Sequence, residues 1–118
     1  MLLKVDASSD VPLFAQIAAS VRADAAAGRV RAGDRLPPAR EVATAVGVNL
    51  HTVLRAYADL RDEGLLDLRR GRGAVLTDAA ARLSDVRDEV AALVRTARDA
   101  GLSADALASL VKETWNDE

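Results

Sequence analysis

The stretch LPPAREVATAVGVNLHTVLRAYADL, residues 36–60, reads as two short helices joined by a tight turn. Pro38 suits a helix start, because proline fixes φ and its missing N–H would be an orphan in the first turn. Val42 and Val46 fall four apart on one face, and Ala39, Ala43 and Ala45 add little bulk. Gly47 stands where a helix needs a left-handed residue just past its end, and Asn49 is a good N-cap for the second helix. That helix carries Val53, Ala56, Tyr57 and Leu60 as one apolar stripe, while His51, Arg55, Ala58 and Asp62 point away from it. A helix–turn–helix whose second helix opens on a polar, partly basic outer face is the unit that enters a DNA major groove. An αα-corner in an all-helical core has the same outline, so the flanks must decide.

Downstream, Gly64 ends the second helix. Residues 65–68, LLDL, then read as a strand, with residues 74–77, AVLT, as its partner. Between them RRGRG, residues 69–73, sets Arg69, Arg70 and Arg72 beside the φ-permissive Gly71 and Gly73. Alone, such a loop is a solvated turn; behind a helix–turn–helix it is a wing that rides on phosphates or reaches the minor groove. Upstream, a helix over about residues 12–27 has the stripe Phe14, Ile17, Val21 and Ala25, with Leu13 and Ala18 beside it and Gly28 as its stop. Residues 29–35 form a turn-rich connector, residues 34–36 a single short strand, and residues 1–9 an extended arm.

Composition narrows the class. A chain of 118 residues suits one compact domain with an appendage, and at this size oligomerisation helps stability. The lack of cysteine removes disulfides, thiolate zinc sites and cysteine nucleophiles. His51 is the only histidine, so no multi-histidine metal site fits within one chain, and no catalytic constellation, metal or cofactor is expected. No apolar run approaches the roughly 20 residues of a membrane span, and the N-terminus lacks a signal-like pattern. A cytoplasmic protein without membrane contact is expected. The net charge is −2, yet residues 29–72 hold 9 Lys/Arg against 6 Asp/Glu, and residues 78–118 hold 5 against 9. A mildly basic body with an acidic tail fits a protein that meets DNA through a local face.

Residues 11–77 resemble the N-terminal domain of the GntR family of bacterial transcription regulators. The resemblance rests on Pro12-Leu13-Phe14 with Gln16-Ile17, on Gly33-Asp34-Arg35-Leu36-Pro37, Arg40-Glu41 and Gly47-Val48-Asn49. It continues through Thr52-Val53, Arg55-Ala56-Tyr57, Leu60, Glu63-Gly64-Leu65 and Arg70-Gly71 with Gly73. It implies a DNA contact by Arg40, for which a surface ion pair is the alternative. Asn49, His51 and Thr52, at the N-terminal end of the recognition helix, are expected to meet bases and phosphates, and Arg55 to read sequence beside His51. Tyr57 is expected to pack its ring and present its hydroxyl at the surface. Two departures stand out. Pro38 replaces a common serine, and Leu50 and Leu54 stand where relatives often carry polar or basic residues. A leucine in that place can pack on a thymine methyl but cannot hydrogen-bond a base edge.

In the tail, Leu83, Val86, Val90, Leu93 and Ala97 are spaced 3, 4, 3 and 4 along a helix expected over residues 78–100. That heptad-like seam suits helix–helix pairing. Gly101 stops the helix, Ser103 caps the next, and Leu107, Leu110, Val111 and Trp115 form a second stripe. Two helices do not readily enclose the roughly 300 Å³ of a typical ligand pocket, and no small-molecule effector is identified. The tail resembles the short YtrA-type branch of the family, which implies dimerisation through two C-terminal helices. The expected fold class is thus mainly α with a small β-hairpin: a winged helix-turn-helix domain over residues 1–77 and a two-helix dimerisation domain over residues 78–118. The expected function is a homodimeric, sequence-specific regulator of transcription, a repressor on an inverted-repeat DNA operator and not an enzyme. A winged-helix module that binds protein partners is the alternative, favoured by Leu50 and Leu54.

Overall fold

A computed structural model describes residue 3 and residues 5–118. Met1, Leu2 and Lys4, part of the expected arm, lie outside the described residues. The rest of that arm is less extended than expected. Asp6 Oδ1 accepts from the Ser8 N–H and hydroxyl at 2.9 and 2.6 Å, which holds its carboxyl below the ordinary value, and the Ser9 N–H closes a turn on the Asp6 carbonyl. The Gln16 carboxamide fastens this turn. It accepts from the Asp6 N–H at 2.7 Å and donates to the Asp6 and Val11 carbonyls at 2.9 and 2.8 Å.

Helix α1 (Leu13–Ala26) buries Ile17, Ala18, Val21 and Ala25, the apolar face anticipated from its spacing. Helix α2 (Ala39–Val46) starts one residue later than Pro38 had implied. Pro38 is its N-cap at ψ 141°, and its carbonyl accepts the first helical bond from the Val42 N–H at 3.2 Å. Gly47 ends α2 in the left-handed region, φ 78°, which lets the Gly47 and Val48 N–H groups both reach the Ala43 carbonyl at 3.0 Å. Helix α3 (Leu50–Asp62) follows at once. The Asn49 Oδ1 accepts from the His51 N–H at 2.8 Å, and the buried residues are Val53, Ala56, Tyr57 and Leu60. Both α1 and α2 pack on α3, so the recognition helix is the hub of this part of the chain.

Strands β1 (Leu66–Arg69) and β2 (Gly73–Leu76) form an antiparallel hairpin with Leu66 opposite Leu76 and Arg69 opposite Gly73. Each is displaced one residue from the expected span. The Leu65 N–H is still spent on the Leu60 carbonyl at the end of α3, and Thr77 is taken as the N-cap of the next helix. Arg35 bridges to Val75, flanked by bonds from the Leu36 N–H to the Ala74 carbonyl and from the Leu76 N–H to the Asp34 carbonyl, at 2.8 and 2.9 Å. Residues 34–36 therefore lie along β2 as the anticipated short strand. Three helices followed by this hairpin make a winged helix-turn-helix, and Ile17, Val53, Leu60 and Leu66 are the largest side chains sealed in its core.

The tail departs from expectation. A short α4 (Asp78–Ala81), capped by the Thr77 hydroxyl, ends at Arg82, and a separate α5 (Leu83–Asp99) begins beyond it. The Ser84 hydroxyl donates to the Ala81 carbonyl at 3.0 Å, drawing an acceptor off the helical ladder at this break. Ala80 is buried and Leu83 packs against the winged-helix core. By contact the chain divides into two compact units, Met1–Asp85 and Val86–Glu118. Leu83, expected in the tail's seam, falls in the first unit and is half-buried there.

In the second unit, Gly101 (φ 78°) ends α5, and the Ser103 hydroxyl accepts from the Ala106 N–H to start α6 (Ala104–Asp117). Ala97 is the one buried residue of α5, and α6 has none.

Candidate nucleic-acid interface

Helix α3 is held at three points along its length. Asn49 caps it. The Tyr57 hydroxyl donates to the Pro37 carbonyl at 2.7 Å, tying α3 to the segment that enters α2. At the far end, Arg22 of α1 meets Glu63 through Nε and a terminal nitrogen at 2.8 and 2.6 Å. That pair raises the Arg22 pKa, since hydrogen bonding to the carboxylate favours the charged form. Tyr57 corrects an expectation. The residue is 4% exposed, its hydroxyl is internal rather than at the surface, and burial pushes its pKa up to about 12.

On this scaffold the expected DNA-facing residues sort into distinct groups. Arg40 is exposed in the first turn of α2 and, among the described residues, has no ion-pair partner, so the surface-pair alternative is not what the side chain does. Asn49 and His51 are exposed and Thr52 is half-buried. Leu54 is 44% exposed. Leu50 instead turns partly inward and packs on the core, which withdraws most of it from any contact face. The exposed Arg55 stacks its guanidinium over the Phe14 ring of α1, 3.6 Å from the centroid.

The wing is tighter than its sequence had implied. Arg69 lies in β1 and Gly73 in β2, so only Arg70, Gly71 and Arg72 make the turn, with Gly71 at φ 81° and the Arg72 N–H on the Arg69 carbonyl at 3.1 Å. Arg69 pairs with Asp67 at 3.3 Å, whereas Arg70 and Arg72 have no carboxylate partner among the described residues. Sequence reasoning missed Arg35. Its bridge to Val75, itself opposite Asp67, puts Arg35, Asp67 and Arg69 on one face of the sheet. With Arg72 they line an open groove of about 730 Å³. The bridge depends on a pairing forty residues distant, so only the run of charge at Arg29, Arg31 and Arg35 could have hinted at it.

In the second unit, Val86, Val90, Leu93, Leu110, Val111 and Trp115 are exposed, Trp115 at 80%, and Leu107 is half-buried. Val90, Leu93, Val94, Leu107 and Val111 line an apolar cleft of about 670 Å³ between α5 and α6. The cleft is larger than the sequence had implied for two helices, but it is open rather than enclosed. Among the described residues there is no cluster of three potential metal ligands, and no helix is long and apolar enough to cross a membrane.

Comparison with known proteins agrees with this geometry. The family described as bacterial regulatory proteins, gntR family, matches residues 13–76. The HTH-type transcriptional repressor YtrA of Bacillus subtilis (strain 168) is 29% identical over 98% of this chain and 94% of its own length. The solved structure of YtrA from Sulfolobus acidocaldarius, described as a GntR-family transcription factor, is similar at TM-score 0.63 and 31% identity, over 84% of this chain and 99% of that one. The AraR DNA-binding domain in complex with operator ORX1 is similar at TM-score 0.57 and 26% identity, over 64% of this chain and 93% of that one. From its winged helix-turn-helix, its matched residues and its near full-length likeness to YtrA, the chain belongs to the gntR family of bacterial regulatory proteins, in the short YtrA-type branch, and is a DNA-binding regulator of transcription rather than an enzyme.

Proposed function

We propose that the chain is a homodimeric, sequence-specific repressor that works in the cytoplasm on an inverted-repeat operator. Its main support is the placement of three exposed arginines that have no carboxylate partner among the described residues, Arg40 on α2 and Arg70 and Arg72 on the wing, on either side in the chain of the capped, solvent-facing start of α3. Phosphate contacts by these arginines supply affinity and register, and Asn49, His51, Thr52, Leu54 and Arg55 supply discrimination. AraR, bound to its operator through a similar domain, and the repressor YtrA are precedents for operator binding and for repression. The dimer rests on α5 and α6. Covering half of a Val or Leu side chain releases about 1 kcal/mol, and Val86, Val90, Leu93, Leu110 and Val111 are each about half exposed. A two-fold pair of such units joins two winged helices, and two-fold symmetry calls for an inverted repeat.

Selection of bound duplexes from a random-sequence pool, followed by titration at several salt concentrations, tests the DNA half. An inverted-repeat consensus whose affinity falls steeply with salt is expected; no enrichment, or salt-insensitive binding, refutes it. The exposed Leu54 favours a second reading, in which the same face binds a protein partner, and salt-insensitive association is its signature.

A further inference from the structure

We propose that Phe14 is a positioning residue for sequence reading: its ring holds the Arg55 guanidinium in place for DNA. The proposal rests on the assignment of Arg55 to operator discrimination above, and it adds a residue from outside the helix–turn–helix to that task.

Arg55 lies on the outer side of α3, opposite the stripe of Val53, Ala56, Tyr57 and Leu60. An arginine on such a face has an obvious local partner four residues on, here Asp59. No ion pair forms between them, and among the described residues the Arg55 guanidinium N–H groups reach no acceptor. The guanidinium instead stacks on Phe14 at 3.6 Å, close enough for face-on contact. Phe14 is itself fixed, because it is half-buried against the winged-helix core in the first turn of α1. The turn before α1 is fastened by Gln16, two residues along.

The chemistry of a stacked guanidinium decides what this is for. Stacking occupies one π-face and leaves the in-plane N–H donors free, and those donors make the bidentate bond to a guanine edge or a phosphate. An ion pair with Asp59 would have consumed the same donors. The ring thus orients the side chain and lowers the entropy lost on contact while leaving its hydrogen-bonding edge unused.

The test uses the full-length protein, an operator selected from random-sequence DNA and a scrambled duplex of equal length. Phe14→Leu keeps apolar bulk but removes the π-face, Phe14→Tyr keeps it, and thermal melting checks that each variant is folded. Arg55→Ala is expected to reduce the operator-to-scrambled affinity ratio by roughly ten- to a hundredfold. Phe14→Leu should reduce it by roughly three- to tenfold, with no effect beyond that of Arg55→Ala when the two are combined. Phe14→Tyr should retain the ratio. Arg55→Lys, which keeps charge but loses the planar fork, should resemble Phe14→Leu and does not depend on a change at Phe14. If Phe14→Leu keeps the wild-type ratio while Arg55→Ala loses it, the positioning role is overturned and Arg55 remains a reader. An unchanged ratio in Arg55→Ala overturns both roles. A wild type that does not distinguish the two duplexes overturns the underlying function instead.

Discussion

Removing the Tyr57 hydroxyl with Tyr57→Phe tests how the recognition helix is held. The hydroxyl donates to the Pro37 carbonyl at 2.7 Å and sits on a residue 4% exposed. A neutral intramolecular hydrogen bond contributes about 1 kcal/mol net. The loss should stay near that value, because Pro37 is exposed and water can reach its carbonyl once the hydroxyl is gone. For a domain of this size about 1 kcal/mol lowers the melting temperature by roughly 3–6 °C. Burial also raises the phenol pKa from 10.0 to about 12, so the group stabilises the fold fully below the unfolded value and loses that contribution as pH climbs towards the folded one. Two pKa units correspond to at most about 2.7 kcal/mol. This exceeds the bond's own worth because it counts the cost of a buried phenolate. Tyr57 is the only tyrosine, so tyrosinate absorbance reports it alone. The wild type should ionise well above the usual phenol range when folded and near it in denaturant. Its excess of stability over Tyr57→Phe in urea melts should shrink, then reverse, between about pH 10 and about pH 12. Equal stability of the two proteins at neutral pH, together with ordinary ionisation of the folded wild type, would refute the buried bond.

Three other outcomes can be checked. Arg70→Ala and Arg72→Ala should each lower the slope of log affinity against log salt by about 1 on any duplex, while Arg69→Ala, already paired with Asp67, should lower it less; equal slopes for all three in anisotropy titrations would contradict this. Val90→Asp should shift sedimentation at micromolar concentration towards monomer, since burying an unpaired charge costs several kcal/mol, and should leave the winged helix folded; a monomeric wild type would rule out the dimer. Arg29→Ala should cost about 1–3 kcal/mol in urea melts because Asp24, 2% exposed, loses its 2.6 Å partner while its other oxygen already meets no protein donor; the cost should fall by at least half in an Asp24→Ala background.

Local periodicity made α3 legible. Val53, Ala56, Tyr57 and Leu60 follow from spacing alone, and so do Gly47 and Asn49, whose roles depend on neighbours within five residues. What was not legible depended on distant partners. The Tyr57 hydroxyl finds a carbonyl twenty residues away, Arg55 finds a ring on another helix, and Arg35 finds a strand forty residues on. The burial of Asp24 was hidden for a different reason. A charged residue in an amphipathic helix is assigned to solvent by pattern, and only the return of the chain at Arg29 makes its burial tolerable. The inward packing of Leu83 and Leu50 was not legible either, because each is an apolar residue at the start of a helix whose burial depends on elements elsewhere in the chain.

The hairpin's edges bear on solubility during synthesis. Residues 34–36 occupy the outer side of β2, so among the described residues β1 is the free margin of the sheet. A margin of this kind is a template on which a second chain can add a strand. Here it is four residues long, and the exposed Asp67 and Arg69 follow the buried Leu66, so charge stands beside much of the margin. Substituting both charges with valine would turn LDLR into a continuous apolar run, the kind of segment that nucleates cross-chain β-pairing. The Asp67–Arg69 pair therefore keeps charge along a margin that valines would leave open to strand addition, whatever part Arg69 plays on DNA.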